Sequence, residues 1–373
     1  MKVYYWSPHL SKVATVKAVL NSCKSLTSKG INAKIINVAG EWDFIQKKYR
    51  VDLNKKNKIL KYIKIEGFLY SRLASVVISM LSFIPLFFFL KKNKPNFLII
   101  HLLTSIPLMV INFSNFKTKL ILRISGLPKL NLIRKYLWIK SEKKIWAVTS
   151  PTNETKKRLI KQKIFPSKKI FLLRDPIIDE KINKKNFIRN YQKRKSFLAI
   201  GRLSKQKNFL FLIKNFEKLL KKYRNITLTI IGEGEERPVL EKFIKDKNLS
   251  HSIKLIGYKK NVMKYYKNHD CFILSSIWED PGFVLVEAAN FQIPIISSNC
   301  MSGPKELSNN GKNMFLFKNN NDADFIKKFQ DYMKIKNSNL KNMSNSSKNL
   351  IKDFTINKHS ASLITLLKNK KNA

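Results

Sequence analysis

Twice along the chain, short runs of β-branched, aliphatic and aromatic residues alternate with intervals long enough for a helix, and a polar basic stretch separates the two series. The first series falls at 2–6, 33–38, 96–102, 119–124 and 144–148, with a further run at 169–173. The second falls at 197–200, 226–231, 253–256, 271–275 and 293–297, with an amphipathic stretch at 209–223 between its first two runs. Such alternation specifies parallel sheets, because parallel neighbours need a long crossover and a helix supplies it. The expected fold is α/β, with two Rossmann-like αβ domains at 1–178 and 195–350 and a linker at 179–195. A periodic segment within 351–373 predicts a C-terminal helix able to pack back, and the Asn/Ser/Lys-rich stretch 334–348 reads as a solvated connection. Open sheets of this type bind ligands beyond the carboxyl ends of their strands, so two such domains facing one another would line a cleft.

With 373 residues, 44% of them hydrophobic, the chain can bury sizeable cores, which excludes disorder throughout. Its 73 Lys and Arg against 24 Asp and Glu give a net charge of +49. That charge suits nucleic acid or an anionic membrane surface. An AT-rich coding sequence would impose the same lysine and asparagine bias on any soluble protein. No aromatic-basic motif of a nucleic-acid reader accompanies the charge. Cys23, Cys271 and Cys300 are scattered, without a Cys-x-x-Cys or Cys/His cluster for zinc, and fit a reducing cytoplasm. The start Met1-Lys2-Val3-Tyr4-Tyr5-Trp6-Ser7-Pro8 lacks the apolar region of a secretory signal, so the expected location is cytoplasmic.

Residues 74–90 are uncharged and heavily apolar, flanked by Arg72 and by Lys91, Lys92 and Lys94. Three readings stay open. A spanning helix needs roughly 20 apolar residues, more than this segment has, and Pro85 interrupts it. A buried core helix is the second reading, and the third is a partly exposed helix pressed into a lipid interface with its lysines at the headgroups.

Two loops carry the chemistry. After the run at 197–200, Gly201-Arg202-Leu203-Ser204-Lys205-Gln206-Lys207-Asn208 lets the backbone turn and presents Arg202 and Lys207 near the start of a helix, where cations and amides favour phosphate. After the run at 271–275, Trp278-Glu279-Asp280-Pro281-Gly282-Phe283-Val284-Leu285-Val286-Glu287 sets two carboxylates eight residues apart across a Pro-Gly turn. Glu287, at a helix start, suits a vicinal ribose diol, and Gly282 lets the amides of Phe283 and Val284 approach a ligand. Taken singly, each loop also fits a solvated surface. Both follow strands of one domain and should converge at one sheet edge.

Gly201-Arg202-Leu203 with Lys207-Asn208, Gly232-Glu233-Gly234, and Glu279 with Glu287 resemble, in this order, the C-terminal domain of glycosyltransferase family 4 over residues 196–313. The resemblance implies the GT-B fold and a retaining transfer from a nucleotide-diphosphate sugar, a UDP-sugar in our reading, with no metal and no other cofactor. It implies that Arg202 and Lys207 bind the diphosphate, Glu287 the ribose and Glu279 the donor sugar, with Gly201 in the donor site and Gly232 and Gly234 near the base. The phrase 278–289, with Ser302-Gly303-Pro304-Lys305-Glu306, is similar to enzymes that build bacterial polysaccharide, lipopolysaccharide or O-antigen repeats. Asp322-Ala323-Asp324 reads as a helix start, not a metal site. The expected partners are a glycan acceptor, lipid-linked in our reading, and an anionic membrane surface on the inner face of the cytoplasmic membrane. The rivals are a basic nucleic-acid-binding protein and a catalytically silent GT-B scaffold.

The N-terminal half departs from that pattern. Ser7-Pro8-His9-Leu10-Ser11-Lys12-Val13-Ala14-Thr15 stands where relatives place a glycine pair, and the run at 119–124 leads into Arg123-Ile124-Ser125-Gly126 where many place a histidine. His9, His101, Arg123 and Ser125 are therefore the candidates for the acceptor side or reaction centre.

Overall fold

A computed structural model of the protein describes residues 1–9, 14–53, 68–126, 130–180 and 189–368. The chain divides into two units, Met1–Ile177 with Thr355–Ala373, and Ile178–Phe354.

The first unit runs β1 (Lys2–Trp6), α1 (Ala14–Thr27), β2 (Asn32–Asn37), β3 (Arg50–Asp52), α2 (Phe68–Asn93), β4 (Phe97–Ile100), α3 (Ser105–Asn112), β5 (Lys119–Arg123), α4 (Leu132–Ser141), β6 (Ile145–Ser150), α5 (Asn153–Lys161) and β7 (Ile170–Leu172). Its sheet is parallel throughout in the order β3-β2-β1-β4-β5-β6-β7. Helices cover both faces, so the strands are apolar on both sides. Tyr4, Trp6, Leu98, Ile100, Leu120 and Leu122 point into one core, while their neighbours Val3, Tyr5, Ile99 and Ile121 point into the other. The strand period of two thus serves two cores at once.

The second unit runs β8 (Ser196–Ile200), α6 (Phe209–Leu220), β9 (Thr227–Ile231), α7 (Arg237–Asp246), β10 (Ile253–Leu255), α8 (Met263–Asn268), β11 (Cys271–Leu274), β12 (Trp278–Glu279), α9 (Phe283–Asn290), β13 (Ile295–Ser298), β14 (Met301–Ser302), α10 (Gly303–Leu307), β15 (Phe315–Phe317), α11 (Asp322–Lys334) and α12 (Asn337–Leu350). Its six-stranded sheet is also parallel, ordered β10-β9-β8-β11-β13-β15, and β12 pairs with β14 in a separate two-stranded ribbon. The last helix, α13 (Ile356–Lys368), belongs to the first unit, where Leu363, Leu366 and Leu367 join the core beside α1.

One sequence reading is corrected and two are narrowed. The stretch 334–348 is not a solvated connection: it lies mostly in α12, which buries Leu340, Ser344 and Ser347. The linker reading 179–195 includes 181–188, outside the described residues, and its later part is anchored in the second unit. There Arg189 donates to the carbonyls of Tyr266, His269 and Phe291, and Arg194 to those of Tyr332, Met333 and Ile335. Both guanidiniums sit where helices leave carbonyls without internal partners. Finally, among the described residues no helix is long and apolar enough to cross a membrane. Within α2, Leu86, Phe89 and Leu90 are buried while Leu81, Ile84 and Phe88 are exposed, so that helix is core on one side and surface on the other.

Candidate functional site

In the second sheet the strand order reverses between β8 and β11, which adjoin each other at its middle. Loops leaving the carboxyl ends of such a pair splay apart and open a crevice. The two motif loops are the ones that leave there. The structure brings them together through Lys207, whose ammonium pairs with the Glu279 carboxylate. Glu279 is almost fully buried and also accepts from the Ser276 hydroxyl at 2.6 Å. Ser275 donates to the Lys207 carbonyl at 2.8 Å, Ile277 to the Gln206 carbonyl at 2.8 Å and Gln206 to the Trp278 carbonyl at 2.9 Å. The loops are stitched together, yet the Lys207 side chain keeps 15% of its surface exposed.

The glycines explain how Lys207 gets there. Its aliphatic stem lies over Gly201, where a Cβ would stand 3.1 Å from the Lys207 Cδ. Gly232 and Gly234 do backbone work, because a Cβ on either would collide with the carbonyl of Gly201 or Leu203. The hydrogen bonds from Gly201 to Ile231, from Leu203 to Glu233 and from Glu236 to Leu203, at 2.9–3.0 Å, depend on that approach. The requirement for glycine here is therefore already met by packing the β8 and β9 loops. Arg202 is half-exposed and 3.2 Å from the Glu235 carboxylate, so it is reachable but not bonded to the Lys207 pair.

Gly282, at φ +88°, takes the turn into α9, placing the amides of Phe283 and Val284 in the first helical turn, which has no internal acceptors for them. Glu287 lies one turn further on and is half-buried. The hydroxyl of fully buried Tyr266, 3.2 Å from both the Glu287 Oε2 and the Val284 carbonyl, ties that carboxylate to the helix start. Burial, with Glu287 beside it, holds the Tyr266 hydroxyl well above the usual tyrosine range, so it remains a donor. Tyr266 and Ser276 escaped sequence reading, since an apolar-looking tyrosine and a loop serine carry no spacing signal. Cys300 is buried nearby, its thiol pushed up to about 12 chiefly by burial. Asp322 and Asp324 open α11 as expected: Asp322 accepts from Asn215 and Lys218, and Asp324 from the Lys318 amide.

The first-unit candidates separate. His9 and His101 follow β1 and β4, the adjacent strands at which that sheet's order reverses. His9 meets Trp42 edge-on at 4.8 Å between centroids, and burial lowers its pKa. His101 lies 6.0 Å from Tyr5, and burial, then the Arg123 charge, push its pKa well below the usual histidine range. Ser125 is exposed. Arg123 is 3% exposed, paired at 2.5 Å with Asp175 and bonded to the Ile124 carbonyl, which makes it a clamp inside the unit. Beside it runs a chain that sequence did not reveal: Tyr5 to Ser22 at 2.7 Å, Ser22 to His359 at 2.8 Å and His359 to the Arg174 carbonyl at 2.7 Å.

Residues 180–350 match the family described as glycosyl transferases group 1. An uncharacterized glycosyltransferase of Haemophilus influenzae is 26% identical over 351 residues, 92% of this chain and 93% of that one. The protein is a glycosyltransferase. An uncharacterized glycosyltransferase of Methanocaldococcus jannaschii is 40% identical over 111 residues, but these span 30% of this chain and 27% of that one. A Campylobacter jejuni enzyme, N-acetylgalactosamine-N,N'-diacetylbacillosaminyl-diphospho-undecaprenol 4-alpha-N-acetylgalactosaminyltransferase, is 27% identical over 58% of each chain. Among solved structures, Staphylococcus aureus TarM, crystallised as a mutant with fondaparinux, alpha-GlcNAc-glycerol and UDP, superposes with a TM-score of 0.77 at 17% identity, covering 99% of this chain and 100% of that one. The glycosyltransferase thus has the GT-B fold.

Proposed function

We propose that this glycosyltransferase is a retaining, metal-independent enzyme of family 4. It moves a sugar from a nucleotide-diphosphate donor, a UDP-sugar, to a hydroxyl of a lipid-linked glycan in the synthesis of surface polysaccharide or lipopolysaccharide. The observation that carries the donor reading is the Lys207–Glu279 pair, held by the β8 and β11 loops at the sheet's reversal point. As the bond from the anomeric carbon to the phosphate oxygen breaks, its electron pair leaves with the diphosphate. Lys207 and Arg202 supply positive charge for that leaving group, the electrostatic work a metal does elsewhere. Glu279, fixed by Ser276, takes the donor sugar's hydroxyls, and Glu287, fixed by Tyr266, takes the ribose diol.

The UDP in the TarM structure supports the choice of base, and the diphospho-undecaprenol named in the Campylobacter enzyme supports a lipid-borne acceptor. The enzyme then works at the inner face of the cytoplasmic membrane, with His9 and His101 as the acceptor-side candidates. The test is calorimetric titration with UDP and GDP beside Glu287→Ala and Arg202→Ala. Saturable binding of UDP that weakens in both variants is expected. Binding indifferent to both substitutions, or no binding of UDP, overturns the donor assignment.

A further inference from the structure

We propose that the first unit carries a docking surface for an anionic lipid bilayer, built from the exposed faces of α2 and α4 with Phe113 between them. The proposal locates the membrane contact included in the proposed function and rests on that part of it alone, since no property of the donor site enters. On α4, Leu132 is 86% exposed, and Ile133, Tyr136 and Ile139 stand out beside it. On α2, Leu81, Ile84 and Phe88 share one exposed helical stripe. Phe113, at the end of α3, joins the two, because it is 73% exposed and meets Phe83 of α2 edge-on at 6.1 Å. Met109, Phe113, Leu132, Ile133, Tyr136 and Lys140 line a groove of about 400 Å³. Soluble monomers rarely expose so continuous an apolar face without a partner for it.

The charges decide which partner. Helices α2, α3 and α4 contain no Asp or Glu. Exposed Lys91, Lys92, Lys135 and Lys140 flank the apolar face, and the Lys140 ammonium lies 5.6 Å from the Tyr136 ring and 5.9 Å from the Phe113 ring. The first unit as a whole holds 39 Lys and Arg against 7 Asp and Glu, a net +32, whereas the second holds 34 against 17, a net +17. A second copy of the chain would bring lysine against lysine. An interface of anionic lipid takes apolar side chains among its acyl chains and lysines among its headgroups, with the tyrosine ring at the boundary.

The test is flotation of the full chain with vesicles of phosphatidylcholine alone and with vesicles containing phosphatidylglycerol. Floating only with phosphatidylglycerol is expected. Ile133→Glu with Tyr136→Glu should lower the bound fraction at least about tenfold. Lys135→Glu with Lys140→Glu should lower it by roughly fivefold per charge removed, more at low salt. Val239→Glu, on an exposed site of the second unit, should change nothing. A cooperative urea transition with the parent's midpoint shows that each variant is folded. No flotation, equal flotation on both vesicles, equal flotation of all variants, or a solution dimer that Ile133→Glu dissolves in light scattering each overturns the surface. If flotation behaves as expected while UDP fails to bind the parent chain, the donor reading falls and the surface stands.

Discussion

The two units share one topology and use the same sheet edge in opposite ways. Each parallel sheet reverses its order between two adjacent strands, β1 and β4 in one, β8 and β11 in the other. Beyond β8 and β11 the charged pair is carried by loops and keeps partial contact with water, at 15% for Lys207 and 7% for Glu279. In the first unit, Arg123 and Asp175 are sealed at 3% and 4%. A loop-borne pair whose cation keeps contact with water can exchange its partner for a ligand at modest cost. A sealed pair cannot, because separating two desolvated charges leaves each uncompensated. The carboxyl ends of the strands therefore offer a place for a charged pair, at the reversal point in the second unit and beyond β5 and β7 in the first, and the exposure of the side chains decides whether the chain uses it for binding or for holding itself together.

The strongest way to break that contrast is Arg123→Met. Stranding the Asp175 carboxylate should destabilise the protein by about 3–5 kcal/mol, read as a shift in urea midpoint. UDP affinity of the folded fraction should be unchanged. A loss under about 1 kcal/mol joined to a fall in turnover would instead place Arg123 in the reaction, and the clamp reading would be wrong.

Next in size is Lys207→Ala, expected to lower kcat by roughly 10²- to 10³-fold, because leaving-group charge grows toward the transition state. Its effect on UDP affinity should be much smaller, and its cost in stability should stay below that of Arg123→Met, since Glu279 keeps the Ser276 hydroxyl. Equal losses in turnover and affinity would show that Lys207 binds donor and transition state alike, and the proposed division of labour with Glu287 would go.

These two arginine and lysine pairs also show how far the sequence could be read. Lys207 and Glu279 sit in motifs with fixed spacing, each after an apolar run, so their convergence followed from parallel-sheet logic alone. Arg123 and Asp175 are 52 residues apart with no motif between them, and only the packing of β5 against the chain after β7 joins them. The main strands were legible to within a few residues because a sheet buried on both faces needs continuous apolar runs. Strands β3 and β15 were not read, because Arg50-Val51-Asp52 holds a single apolar residue and Phe315-Leu316-Phe317 is a short apolar run inside an Asn- and Lys-rich stretch. Helix α12 misled because serines take part in its buried face, where the eye looks for aliphatic periodicity.

His359 was hidden in the same way, as a polar residue in an amphipathic C-terminal helix. Burial is the main cause holding its pKa at about 4, against 6.5 for a free histidine. The neutral ring is favoured in the folded state, so this contribution to stability is complete above the unfolded pKa and is lost as pH falls through the folded one. Between about pH 6.5 and 4 the loss should reach on the order of 3 kcal/mol. Urea titrations of the parent chain and His359→Gln across that window should show a pH slope in the parent that the variant lacks. Matching slopes would mean that the Ser22–His359–Arg174 chain does not seal the first unit as Arg123 does.

The smallest expected effect sharpens the contrast from the other side. If polar contacts in the second unit serve a ligand and not the fold, removing one should cost affinity and spare stability. Tyr266→Phe is the cleanest case. Its ring stays packed, 5.5 Å from Phe291 and nearly parallel to it, so the deletion removes only a hydroxyl. That hydroxyl has one proton for two acceptors, the Val284 carbonyl and the Glu287 carboxylate. Losing it should weaken UDP binding by a few-fold, about 1 kcal/mol, with KM rising and kcat nearly unchanged. Glu287→Ala should weaken binding more, and the double variant should be no worse than Glu287→Ala alone, since Tyr266 acts through Glu287. Additive losses in that cycle would give Tyr266 its own contact with the nucleotide, and an unfolding midpoint lowered as far as that of Arg123→Met would make it a clamp after all.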